Sequence, residues 1–94
     1  MRIKSLIWLD EIVNKLKQKH NVSQNEVRQI IATSKHFRFI EKGHRRGENV
    51  YAALGQTDGG RHLIVFFVHK QTEEALIISA RDMTSAERRL HEKR

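Results

Sequence analysis

The chain has 94 residues, no cysteine, and 18 Lys plus Arg against 11 Asp plus Glu, for a formal net charge of +7. Disulfides and thiolate zinc sites are excluded, and no apolar run nears the roughly 20 residues that cross a bilayer, so the expectation is one cytoplasmic domain over residues 1–94. A pI near 10.3 points to a polyanion or an acidic protein as partner, with plain solvated surface as the alternative.

Ile3 to Leu9 reads as a first strand anchored by Trp8, followed by Asp10 as the N-cap of a helix running to about His20. Ile12, Val13, Leu16 and His20 share one face of that helix, and Asn21 is a left-handed stop. Ser23-Gln24-Asn25-Glu26 is a capping box that opens a second helix with Val27, Ile30 and Ile31 as its buried stripe. Both helices are expected on one face of a sheet.

Phe37 and Phe39 alternate as in a strand, Glu41 to Gly47 is a basic loop, and Asn49 to Gly55 resumes alternation. In this third strand Val50, Ala52 and Leu54 should face one way, with Tyr51 and Ala53 facing the other. Thr57-Asp58-Gly59-Gly60 turns the chain into Leu63 to Val68, an apolar run suited to a central strand covered on both faces. After a polar turn, Ala75 to Ala80 returns antiparallel, with Leu76, Ile78 and Ala80 expected on one face and Ile77, Ser79 and Arg81 on the other. Thr84-Ser85-Ala86-Glu87 is a further capping box and opens a polar terminal helix. The order β-α-α-β-β-β-β-α with short turns makes the class α+β, built on an antiparallel sheet.

The six histidines form no His-x3-His pair, and neither a Gly-x-Ser-x-Gly elbow nor a phosphate-loop motif occurs. No cofactor or metal is therefore expected. Residues 35–47 carry five Lys or Arg against one Glu, which makes Lys42, His44, Arg45 and Arg46 candidates for phosphate contacts. The alternative is a strand edge that uses charge against aggregation.

Metal-free RNA cleavage needs a base, an acid and fixed positive charge on the pentavalent phosphate. Arg61 and Arg81 lie near the same end of neighbouring strands and are the best pair for a phosphate clamp, with Tyr51 or His20 assisting proton transfer. Strand-end solvation is the other reading of the arginines, and a histidine such as His20, on the apolar face at a helix C-terminus, more often stabilises the dipole or satisfies a cap.

Trp8-Leu9-Asp10, Lys19-His20, Val22-Ser23, Tyr51-Ala52-Ala53-Leu54-Gly55-Gln56-Thr57, Gly60-Arg61 and Ile78-Ser79-Ala80-Arg81-Asp82-Met83 followed by Glu87-Arg88-Arg89 resemble, in order and spacing, the BrnT toxins of bacterial type II toxin–antitoxin pairs. The resemblance implies a RelE-like fold, an endoribonuclease that stops translation, and neutralisation by a ribbon-helix-helix antitoxin of the BrnA type. Operator DNA would be engaged only through that antitoxin. The family's recurring positions fall here on Trp8, His20, Arg61, Arg81 and Arg88 or Arg89. Arg88 and Arg89 join the candidate RNA contacts, and the apolar central strand fits a surface that an antitoxin covers. The competing readings are a basic binding module without catalysis and a subunit that folds only with its antitoxin.

Overall fold

In the computed structural model, which describes residues 1–93, the chain forms β1 (Ser5–Ile7), α1 (Asp10–Lys15), α2 (Gln24–Thr33), β2 (His36–Glu41), β3 (Asn49–Gln56), β4 (His62–His69), β5 (Glu74–Asp82) and α3 (Ser85–Glu92). A π-helical turn, Leu16–His20, continues α1 without a break. The five strands make one sheet in the order β1-β5-β4-β3-β2. The fold is α+β, as the sequence pattern requires.

The meander β2-β3-β4-β5 is antiparallel throughout, and its apolar strand β4 is central. The first strand departs from expectation. It is confined to Ser5–Ile7 and pairs in parallel with β5, so the sheet is mixed. The reason is connectivity: the two helices carry the chain across one face to the far edge, where β2 runs opposite to β1, and three antiparallel reversals then bring β5 back beside β1 in the same direction.

Local chemistry sets most helix ends. Ser23 Oγ accepts from Glu26 N–H at 3.1 Å while the Glu26 carboxylate accepts from Ser23 N–H at 3.0 Å, and Thr84 with Glu87 repeats the arrangement on α3. Asn21 adopts φ 52°, ψ 43° and ends the first helix, with Val22 N–H bonded to Leu16 O at 3.1 Å. Asp10 is not the N-cap. Leu9 holds that position with no side-chain bond, and Asp10 and Glu11 sit in the first turn, where their charge still favours the positive helix end.

Leu16, Val27 and Ile30 from the helices and Val22 from the link between them pack on Ala53, Leu63, Val65, Phe67, Ala75, Ile77 and Ala80 from the sheet, all buried. This is the helix-covered face. A smaller buried group, Ala52, Leu54 and Ile64, lies on the opposite face, with Phe66 and Met83 against it. The expected alternation holds in β3, but in β5 Ile77 joins the helix-covered core together with Ala80. A bulge between the Phe66–Ser79 and Phe67–Ile77 pairs shifts the register there and resets the phase. Phe67→Ala removes the largest wholly buried ring, and the expected cost in denaturant unfolding is about 3–5 kcal/mol, whereas half-buried Phe66→Ala should cost markedly less.

Candidate nucleic-acid interface

Partners across antiparallel strands share a sheet face. One transverse row is therefore Arg38, Ala52, Phe66 and Ser79, and the next is His36, Leu54, Ile64 and Arg81. Both rows lie opposite the two N-terminal helices. Helix α3 covers only the end of this face: Glu87 pairs with Arg81, the His91 ring stacks on His36 at 5.7 Å, and Glu92 approaches His62 at 3.9 Å. No residue of α3 is buried, and beyond its end this face, hereafter the open face, presents an exposed Arg38 and half-buried Phe66 and Ser79 over the small buried group. At its far end lies a concavity of about 310 Å³ floored by Val50, Val68 and Leu76 and rimmed by Lys42, His44, Arg45 and Lys70, with Glu41 and Glu48 also in its lining and Glu48 paired to Lys70 at 3.1 Å.

The expected Arg61–Arg81 clamp does not form. Arg61 lies on the helix-covered side, and all five of its N–H donors are engaged by protein. Nε and Nη2 bond the Asp82 carboxylate at 2.8 and 3.2 Å, Nη2 also reaches His20 O at 2.8 Å, and Nη1 reaches Asn21 O at 2.6 Å and Glu26 at 3.4 Å. The guanidinium thereby satisfies carbonyls left unpaired at the end of the first helix and ties them to β5 and to the start of α2. The bond from Arg61 holds the Asp82 carboxyl below its ordinary range. Residues 81 and 82 alternate across the sheet, so Arg81 points to the opposite, open face.

Arg81 lies over the Phe66 ring at 5.5 Å. Its Nη1 bonds Glu87 Oε1 at 2.7 Å and Asp82 O at 3.1 Å, and Nη2 bonds Glu87 Oε2 at 3.0 Å. Among the described residues, Nε and one Nη2 hydrogen find no protein acceptor. Those two donors, beside an aromatic ring and an exposed Arg38 in the adjoining row, can engage a phosphate without unmaking the fold.

The other candidates are dispersed. His20 belongs to the Arg61 cluster, where its carbonyl is an acceptor and its ring lies near Asp82. Tyr51 is half-buried on the helix-covered face, against Phe39, Phe67 and His69, so neither it nor His20 accompanies Arg81. Lys42, His44 and Arg45 do border the open face. Arg46 is exposed in the same loop, with its carbonyl accepting from Gln71. Arg88 pairs with Glu92 at 2.9 Å along α3, and Arg89 is exposed. Among the described residues, no three metal-ligating side chains cluster. Sequence reasoning missed Arg38 and Phe66, whose role rests on cross-strand register; an arginine flanked by two phenylalanines in a strand was the available signal.

A family model described as "Ribonuclease toxin, BrnT, of type II toxin-antitoxin system" matches residues 8–87. The chain belongs to this family. Membership makes it a ribonuclease toxin of a type II system, with RNA as substrate and an antitoxin as partner. The matched span includes Trp8, His20, Arg61 and Arg81 but ends at Glu87, before Arg88 and Arg89. No curated protein matches the chain. No described helix is long and apolar enough to cross a membrane.

Two predictions separate the arginines. Arg61→Ala leaves two carboxylates and two helix-end carbonyls without their shared donor and is expected to cost about 2 kcal/mol in thermal or urea unfolding, while Arg81→Ala forfeits only the bond to the Glu87 carboxylate and costs less. The second concerns pH. The bond from Arg81 lowers the Glu87 carboxyl from 4.5 to about 2. A depressed acid contributes stability in full above its unfolded value, and that contribution is lost as pH falls through the folded one. The melting-temperature gap between the parent and Glu87→Gln should therefore be constant above about pH 5 and close between pH 4.5 and 2.

Proposed function

We propose that this BrnT-family chain is a metal-independent endoribonuclease that lays its substrate across the open sheet face, with Arg81 holding the scissile phosphate. The supporting observation is the placement of the Arg81 guanidinium over Phe66 with two N–H donors still available. Arg38 extends the positive charge along the face, and Lys42, His44 and Arg45 receive the backbone at the far end. Phe66 offers a ring on which a splayed base can stack. Proton transfer falls to histidines of the same face, His36, His62 and His91 at the α3 end and His44 in the loop. Arg61 and His20 support the reaction indirectly, by fixing the β5 end from which Arg81 projects. In the cell the reaction takes place in the cytoplasm and arrests translation. Neutralisation comes from a ribbon-helix-helix antitoxin of the BrnA type, through which the pair engages its own operator DNA.

A second reading, a binder without catalysis, is favoured by the two-pronged bond that Arg81 donates to Glu87, which already occupies part of the Arg81 fork. Incubating the purified protein with single-stranded RNA in EDTA distinguishes the two. Cleavage that falls by about 100-fold in Arg81→Ala, on the scale of a lost transition-state donor, supports the enzyme. Salt-sensitive retention of intact RNA supports the binder, and undiminished cleavage by Arg81→Ala overturns the assignment of that residue.

A further inference from the structure

The helix-covered face is not covered to its corner. A groove of about 480 Å³ runs between the N-terminal segment and α2, with Ile3, Leu6, Ile31 and Phe37 supplying apolar wall and floor. Its lining carries three cations, Arg2, Lys4 and Arg28, and no carboxylate. The side chains of Arg2 and Lys4 are 76% and 56% exposed and share one acid, Glu73, at 3.9 and 3.5 Å, a geometry worth little in water. From the floor, ring contacts lead from Phe37 through Phe67 and Tyr51 to Phe39. Phe39 is 57% exposed and its neighbour Ile40 40% exposed. Both belong to β2, an edge strand whose outer backbone groups have no strand beside them.

We propose that this groove and the adjoining edge of β2 form the docking surface for an acidic, apolar-anchored segment of the antitoxin, on the face of the sheet opposite the RNA platform. The proposal rests on the toxin–antitoxin reading above and adds to it where the partner sits. Charge complementarity selects the occupant. A second copy of a chain with net charge +7 would oppose cation to cation across the groove. Nucleic acid would gain three cations and the rings of Phe37 and Phe39 but would leave Ile3, Leu6 and Ile31 unused, and it has no peptide backbone to pair with a strand edge. A polypeptide with two or three apolar anchors among Asp and Glu satisfies all three features: the floor, the rim and the edge.

The test measures affinity of the full-length cognate antitoxin for the parent, for a Lys4→Glu/Arg28→Glu double variant, for Phe39→Ser, and for Arg38→Glu on the opposite face. RNA cleavage and thermal melting are followed in parallel. All four positions are exposed, so the variants should melt close to the parent. The expected result is a loss of about tenfold or more in antitoxin affinity for the two groove variants with RNA cleavage intact, while Arg38→Glu keeps antitoxin affinity and loses RNA. Unchanged affinity in the groove variants, or loss confined to Arg38→Glu, overturns the proposal and seats the antitoxin on the RNA platform. Loss of RNA retention by the groove variants alone also overturns it, in favour of nucleic acid. So does a parent dimer that these variants abolish, in favour of self-association. If the parent cleaves no RNA yet the groove variants still lose the antitoxin, the catalytic reading falls and the docking surface stands.

Discussion

The structure turns on the saturation of one guanidinium. Arg61 spends every donor it has on Asp82, Glu26 and the carbonyls of His20 and Asn21, which joins the end of the first helix, the start of the second and the last residue of β5 at a single point. A helix end over a sheet is otherwise a row of unpaired carbonyls. Here one rigid, permanently charged fork satisfies them, and lysine, a flexible point charge, could not replace it.

That junction decides what its neighbour can do. Asp82 must face the helices to meet Arg61, and in an extended strand the preceding residue must then face the other way. Arg81 is thereby presented on the open side, against Phe66 and beneath the α3 cap held by Glu87. Two arginines with the same chemistry are divided by the pleat into a structural role and one that remains available to a ligand. The bulge at Ile78 completes the arrangement by returning Ile77 to the core while leaving Ser79 and Arg81 in phase on the open face.

The two faces differ in kind. The open face couples a small apolar floor to scattered cations and an aromatic ring, which suits a flexible polyanion whose bases need a stacking surface. The helix-covered face is closed by an aliphatic core except at one corner, where a cation-rimmed groove meets an unpaired strand edge. Helix α3 joins neither core. Among the described residues its contacts include the Glu87–Arg81 ion pair, the His91–His36 ring stack and a long His62–Glu92 approach, all on the side where RNA is proposed to lie.

Read alone, the sequence determined the element order, the central place of β4, both capping boxes, the Asn21 stop and the family, because each is written in local chemistry or in the order of short motifs. It placed Arg61 and Arg81 correctly near one end of the sheet but could not tell which side each would serve, since that depends on which carboxylate reaches which guanidinium first in space. Tyr51 and His20 are candidate partners of those arginines by the proton chemistry of their side chains, His20 also by the family resemblance, and packing places both on the other side. The parallel pairing of β1, the loss of the Asp10 cap to Leu9, the bulge that shifts Ile77, and the gathering of Arg38, Phe66 and Arg81 into adjoining rows were decided only by tertiary structure. Each depends on contacts between residues distant in the chain, where register and the direction of a crossover, not local preference, determine what stands beside what.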